Sequence, residues 1–348
     1  MKDFDLLKKL TETPGVPGRE ERIRELIRAE SQDLFDEFRT DAIGNLIAVR
    51  RPTRAGRGSA KPRRIMIACH IDEIGFYVKH IDEKGFLRLN PAGGFDTRNL
   101  FARKVLVQGR RDVIGVLNPA GRPIHIATDE EKKKVYKVGE FFVDLHLPPA
   151  QVTRLVRVGD PVTLIQTTEP VGKAIVGKCM DNRVATFVAL GALRKIAKSG
   201  SPHEICYVGT VQEEVGLRGA GPATFGIEPD IAIAIDVTLA CDTPGVPPEE
   251  AVCTFGGGAA IKVMDHASIS DRELVDEFLA LAEAKKIKHQ LEILPLGGTD
   301  AAAMQRAMRG HRTITLSVPC RYVHTVTESV HTEDVKATID LLAAYLQS

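Results

Sequence analysis

The run Ile231-Ala232-Ile233-Ala234-Ile235 leaves this chain little choice of fold. Five consecutive apolar residues make a strand buried on both faces, the kind found in a parallel sheet covered by helices on each side. The run stops at Asp236, and two other apolar runs stop in the same manner. Cys206-Tyr207-Val208-Gly209-Thr210-Val211 is followed by Gln212-Glu213-Glu214, and Ile65-Met66-Ile67-Ala68-Cys69 by His70-Ile71-Asp72. Ligands of open α/β sheets collect outside the carboxyl ends of the strands, so three strand ends carrying acids and an imidazole point to one site. Carboxylates gathered there are costly unless a cation joins them.

Neighbouring residues of an extended chain face opposite ways, so Glu213 and Glu214 are expected to do different work, one holding a metal and the other moving a proton. His70 and Asp72 share a side, which lets Asp72 orient the imidazole. Cys179-Met180-Asp181-Asn182-Arg183 opens a helix that runs to about Lys198 and is closed by Gly200. Asp181 stands where an N-cap belongs, and it is equally placed to bridge metals. Ser270-Asp271-Arg272-Glu273 has the form of a capping box opening a helix through Ala284. Leu296-Gly297-Gly298-Thr299-Asp300 links a short strand to the helix 301–309; its glycines allow close approach of a substrate, and Asp300 is either part of that or a plain helix-terminal charge. A strand from Thr313 to Val318 leads to His324 in a loop, and the last helix begins with Thr332 as its cap.

Between about Phe76 and Ile165 the texture changes. Short β-type runs such as 105–107, 113–117 and 161–165 alternate with Gly, Pro and Asp turns, which indicates an inserted all-β domain. The expected division is therefore 1–71 with 166–348, interrupted by 72–165. Of the 348 residues 43% are hydrophobic and 27% charged, enough for a full core, and a net charge of +1 gives neither nucleic acid nor membrane as a partner. The opening residues are too charged for a signal peptide, so a cytoplasmic protein is expected. Six scattered cysteines without a CxxC pair suit reduced core thiols. Arg50 to Arg64 carries seven basic residues but no aromatics, and is taken as a solvated hairpin loop.

The collected set is His70, Asp181, Glu214, Asp236 and His324, with Glu213 beside it. Two imidazoles and three carboxylates suit a pair of borderline divalent ions, zinc or cobalt, and fit oxygen-preferring calcium poorly. Such a pair with a free glutamate performs hydrolysis.

At this point five ordered motifs resemble the M42 family of dinuclear metallo-aminopeptidases, the tetrahedral or TET group. They are His70-Ile71-Asp72-Glu73-Ile74-Gly75, Met180-Asp181-Asn182-Arg183, Gln212-Glu213-Glu214-Val215-Gly216, Ala234-Ile235-Asp236-Val237-Thr238 and Arg321-Tyr322-Val323-His324-Thr325. Leu10-Thr11-Glu12-Thr13-Pro14-Gly15 and Gly297-Gly298-Thr299-Asp300 extend the likeness to nearly the whole chain. The resemblance implies a mixed central sheet flanked by helices, split by a β-barrel-like dimerisation domain. It implies two metals per chain, with His70 and Asp236 on one, Glu214 and His324 on the other, and Asp181 bridging. Glu213 is implied as the acid/base and Asp72 as the support of His70. Short peptides would be the substrates and a hollow dodecamer built from dimers the assembly. A hydrolase of N-acyl amino acids or other small amides would need similar ligands. A glycosidase, which works with two metal-free carboxylates, is not supported.

Overall fold

A computed structural model describes residues 4–55 and 62–348. The middle of the basic stretch expected to form a solvated hairpin loop, 56–61, lies outside these residues. Four parallel strands form the centre of the sheet, in the order Glu204–Thr210, Arg64–His70, Ile231–Leu239, Thr313–Arg321. Antiparallel strands extend it on both sides: Leu46–Arg50 and Glu37–Thr40 beyond Glu204–Thr210, and Glu328–His331 with Ala174–Gly177 and Glu169–Val171 beyond Thr313–Arg321. The sheet is thus mixed, as expected.

Side-chain size differs between its faces. Ile231, Ile233 and Ile235, with Ile65, Ile67 and Cys69, pack into the larger core beneath the helices Met180–Lys195 and Thr332–Tyr345. Ala232, Ala234, Met66 and Ala68 face the opposite core, where Ala220–Ile227 and Asp300–Arg306 lie close over small residues. The Ile-Ala alternation sets this asymmetry, because successive strand residues point to opposite faces.

The segment between Gly75 and Leu164 leaves the sheet and closes on itself. Gly75–Ile81, Leu87–Ala92, Phe141–Asp144, Asp112–Pro119, Arg103–Gln108 and Pro161–Leu164 form a closed antiparallel barrel in that order. Phe76, Val78, Leu89, Val105, Leu117 and Phe141 fill it.

Three helix starts differ from expectation. The helix Arg272–Ala284 is capped by Asp271, whose side chain accepts the Leu274 N–H at 3.0 Å, while Ser270 is tied by its own N–H to Val263. Asp271 also pairs with Arg312 at 3.0 Å, a contact that no local pattern reveals. The last helix is capped by His331, whose Nδ1 accepts the Glu333 N–H at 3.1 Å, because the strand Glu328–His331 runs straight into it and Thr332 is already helical. Asp181 does not cap its helix: among the described residues its side chain accepts no helix N–H and faces His70 and His324 instead, and the regular turns begin after Asn182. All six cysteines are free, and all but Cys241 are buried. Among the described residues no helix is long and apolar enough to cross a membrane.

Candidate metal centre

His70 is the last residue of its strand, while Asp236 sits within Ile231–Leu239, three residues before its end. Glu213 and Glu214 follow Glu204–Thr210 in a turn, and His324 lies in the turn between Thr313–Arg321 and Glu328–His331. Five non-glycine residues here adopt positive φ: Cys179 at 56°, Gln212 and Leu217 at 57°, Tyr322 at 61° and His324 at 62°. Such backbone is uncommon and persists where the surroundings enforce it, which marks the three loops as held in place for their side chains.

All six expected groups line one cavity of about 500 Å³. His70 Nε2 lies 3.0 Å from Asp181 Oδ1, 3.8 Å from Asp236 Oδ1 and 3.9 Å from Glu213 Oε2. His324 Nε2 lies 3.3 Å from Glu214 Oε2 and 3.5 Å from the second oxygen of Asp181. Asp181 therefore faces both imidazoles. Ligand atoms of His70, Glu213 and Asp236 lie within 4.8 Å of one another, as do those of His70, Asp181 and Glu214. The expected divergence of the two glutamates takes a different form. The strand ends at Thr210 and Gln212 turns the chain, so both glutamates enter the same cavity, Glu213 toward His70 and Glu214 toward His324.

The electrostatics ask for positive charge. Burial pushes the carboxyls of Glu213, Glu214 and Asp236 up. Asp181 is held below the usual carboxylate range, because the two imidazoles outweigh its burial. Burial likewise opposes charge on His324, yet Asp181 and Glu214 raise it to about 11, and carboxylates raise His70 despite its complete burial. Protons on the imidazoles do here what a cation does better. His70 Nδ1 and Glu214 Oε1 are buried without a hydrogen-bond partner among the described residues, so the donor set fits divalent ions.

Asp72 holds the glutamates rather than the imidazole alone. Its two oxygens accept the N–H groups of Glu213 and Glu214, each at 3.1 Å, while His70 Nδ1 stands 3.6 Å away. Three further carboxylates escaped sequence reasoning. Glu328 accepts the N–H groups of Asp181 and His324; Glu73 accepts from Lys178, Cys179 and Gly15; Glu20 accepts from Gly18 and Gln212. A charged residue between Val326 and Val330 in a short strand was the available signal for Glu328. Asp300, left open by the sequence, is buried at its helix N-terminus and accepts the Thr210 hydroxyl, and burial pushes its carboxyl up to about 6.

A mixed sheet whose central parallel strands end in acids and imidazoles around a cavity, next to a closed barrel, has the donor set of a metal-dependent hydrolase. A family model described as M42 glutamyl aminopeptidase matches residues 44–341, and the chain belongs to the M42 peptidase family. It is 37% identical over 340 residues to a putative aminopeptidase of Acetivibrio thermocellus, covering 97% of each chain. With the lysyl aminopeptidase of Pyrococcus furiosus it shares 33% identity over 363 residues, covering 100% of this chain and 97% of the relative. Among solved structures, aminopeptidase APDkam598 from Desulfurococcus kamchatkensis superimposes with a TM-score of 0.91 at 34% identity, over 99% of this chain and 94% of that one. The Pyrococcus horikoshii TET1 peptidase, described as assembling into a tetrahedron or a large octahedral shell, gives 0.85 at 31% identity and 99% coverage of both.

Proposed function

We propose that the protein is a dinuclear metal-dependent aminopeptidase that removes N-terminal residues from short peptides. The observation that carries this reading is the buried cluster of two imidazoles and four carboxylates opening on one cavity. His70 and Asp236 would hold one ion, Glu214 and His324 the other, with Asp181 between them. Zinc or cobalt suits this mixed nitrogen and oxygen set. When bound, such a pair polarises the scissile carbonyl and makes water nucleophilic near neutral pH.

The chain's own groups do the rest. Glu213 takes the proton from the attacking water and returns it to the leaving amine, a role suited to a carboxyl raised by burial. Asp72 fixes the backbone of Glu213 and Glu214 and stands beside the His70 ring. Glu328 fixes Asp181 and His324 through their backbone N–H groups. The free amine of a peptide enters a cavity rich in carboxylates, which favours unblocked substrates.

The division into residues 1–71 with 166–348 as catalytic unit and 72–165 as dimerisation unit belongs to the same reading. Ile114, Ile124, Ile126 and Val135 are each more than 60% exposed in the inserted segment, a load of apolar surface that a partner copy would cover. Dimers joined in this manner would build a dodecamer, the assembly named for the similar PhTET1-12s structure. The test is a panel of aminoacyl p-nitroanilides and their N-acetyl counterparts with cobalt or zinc added. Release of p-nitroaniline from the free-amine series alone is expected; removal of the acetyl group from the blocked series, seen as new free amine, makes the enzyme an N-acyl amidase instead.

A further inference from the structure

Beyond the six ionisable groups and the exposed His266, the cavity wall is largely apolar: Leu217, Val237, Leu239, Leu294, Leu296 and Val323 face it. Leu296 is 76% exposed and Leu239 38%, so much of this surface has no internal partner to cover it. The wall also contains one lysine, Lys262, which at first sight suits an acidic side chain. Lys262 is fully buried, and its ammonium already lies 3.1 Å from Glu292 Oε1 and 3.3 Å from Asp265 Oδ2. Both carboxylates are themselves fixed. Asp265 accepts the N–H groups of Ala267 and Ser268 at 2.9 and 2.7 Å, and Glu292 accepts the Thr238 hydroxyl at 2.6 Å. The trio carries one positive and two negative charges, so the lysine is spent and the trio's net charge is negative.

We infer that the cavity selects peptides whose first residue has a large aliphatic side chain and rejects those that begin with an acidic residue, with the Lys262–Asp265–Glu292 trio as the excluding element. This rests on the aminopeptidase reading, and it concerns the one part of the substrate that such an enzyme must accommodate before it cleaves. A leucyl side chain covers the exposed leucines of the wall. A glutamyl side chain loses water there, finds no unpaired lysine or arginine on the wall, and meets the net negative charge of the trio behind Lys262. Burial works against charge on Lys262, but Glu292 and Asp265 outweigh it, so the ammonium stays charged and paired.

The experiment measures kcat/KM of the metal-loaded enzyme for leucyl, methionyl, lysyl and glutamyl p-nitroanilides. The expected result is a leucyl value at least about tenfold above the glutamyl one. Glu292→Gln keeps an acceptor for Thr238 and leaves the trio neutral, so the glutamyl-to-leucyl ratio should rise several-fold. Leu296→Arg sets a free cation on an exposed part of the wall, where folding is not at stake, and should raise the same ratio. Glutamyl turnover equal to or above leucyl in the unaltered enzyme overturns the assignment while leaving an aminopeptidase. No change of ratio in either variant removes the trio as the excluding element. No release from any unblocked substrate by enzyme shown to contain metal overturns the aminopeptidase reading, and this assignment with it.

Discussion

The Glu328 carboxylate accepts the backbone N–H of Asp181 at 3.0 Å, and its second oxygen accepts that of His324 at 2.8 Å. One buried side chain therefore sets the separation of two groups that approach the same cavity from elements far apart in sequence. Replacing Glu328 with Ala strips both N–H groups of their acceptor, at a cost of about 1–3 kcal/mol for each group left unpaired. We expect a lower Tm and a cobalt affinity reduced by about 10–100-fold by titration calorimetry. Unchanged metal affinity would show that the two backbones are held by other means.

Glu213 and Glu214 should separate when each is changed. Glu213→Gln keeps shape but cannot carry a proton, so turnover should fall by about 10²–10⁴-fold with both ions retained. Glu214→Ala should instead lower metal content, and excess cobalt should restore part of the activity. If the metal is lost from the first variant and kept by the second, the two roles are reversed.

Chelation gives a third measurement. Removing metal should abolish turnover and lower Tm, and about two equivalents of cobalt or zinc per chain should restore both, since an ion that binds only the folded state stabilises it. Active enzyme found by elemental analysis to contain no transition metal would end the dinuclear reading.

Glu20 provides a test by pH. Its carboxyl, buried and close to the Asp72 charge, is pushed up to about 7. A carboxyl raised in the folded state holds its proton longer there than in the unfolded chain, so its contribution to stability is lost as pH climbs from about 4.5 to about 7. The loss amounts to about 3 kcal/mol at most. Glu20→Gln, which still accepts from Gly18 and Gln212, should remove this loss. Its advantage over the parent in denaturant melts should be absent near pH 4 and full at pH 8.

Assembly is the fifth. Light scattering should report a mass far above the 38.0 kDa chain, and charged residues at Ile124 and Ile126 should reduce it. A fully active monomer would contradict the dimerisation role of the inserted segment.

What the sequence disclosed and what it hid divide along physical lines. The strand-end acids were legible because a buried apolar run that stops at a carboxylate is a local signal, readable at Asp236 and Glu213 without knowledge of any partner. Glu328, Glu73 and Glu20 were hidden because their meaning lies in N–H groups of distant segments: Glu328 reaches Asp181 across 147 positions. Asp72 was expected beside His70 and stands 3.6 Å from its Nδ1, but its contact with the Glu213–Glu214 turn depends on the pairing of Glu204–Thr210 with Arg64–His70. The cap positions failed by one residue at Ser270 and at Thr332, since strand pairing and the Arg312 contact fixed the neighbour instead.

The barrel also has a consequence in time. Every one of its six strands lies between Gly75 and Leu164, and each finds its neighbours inside that interval. The central sheet cannot do the same: Ile231–Leu239 waits for Thr313–Arg321, near the end of the chain. As the polypeptide leaves the ribosome, the barrel is the part able to complete its pairing while the strands meant to surround the cavity are still missing partners. The part of the molecule without the site thus matures first, and the site, which draws on residues from His70 to His324, forms only once His324 has been made.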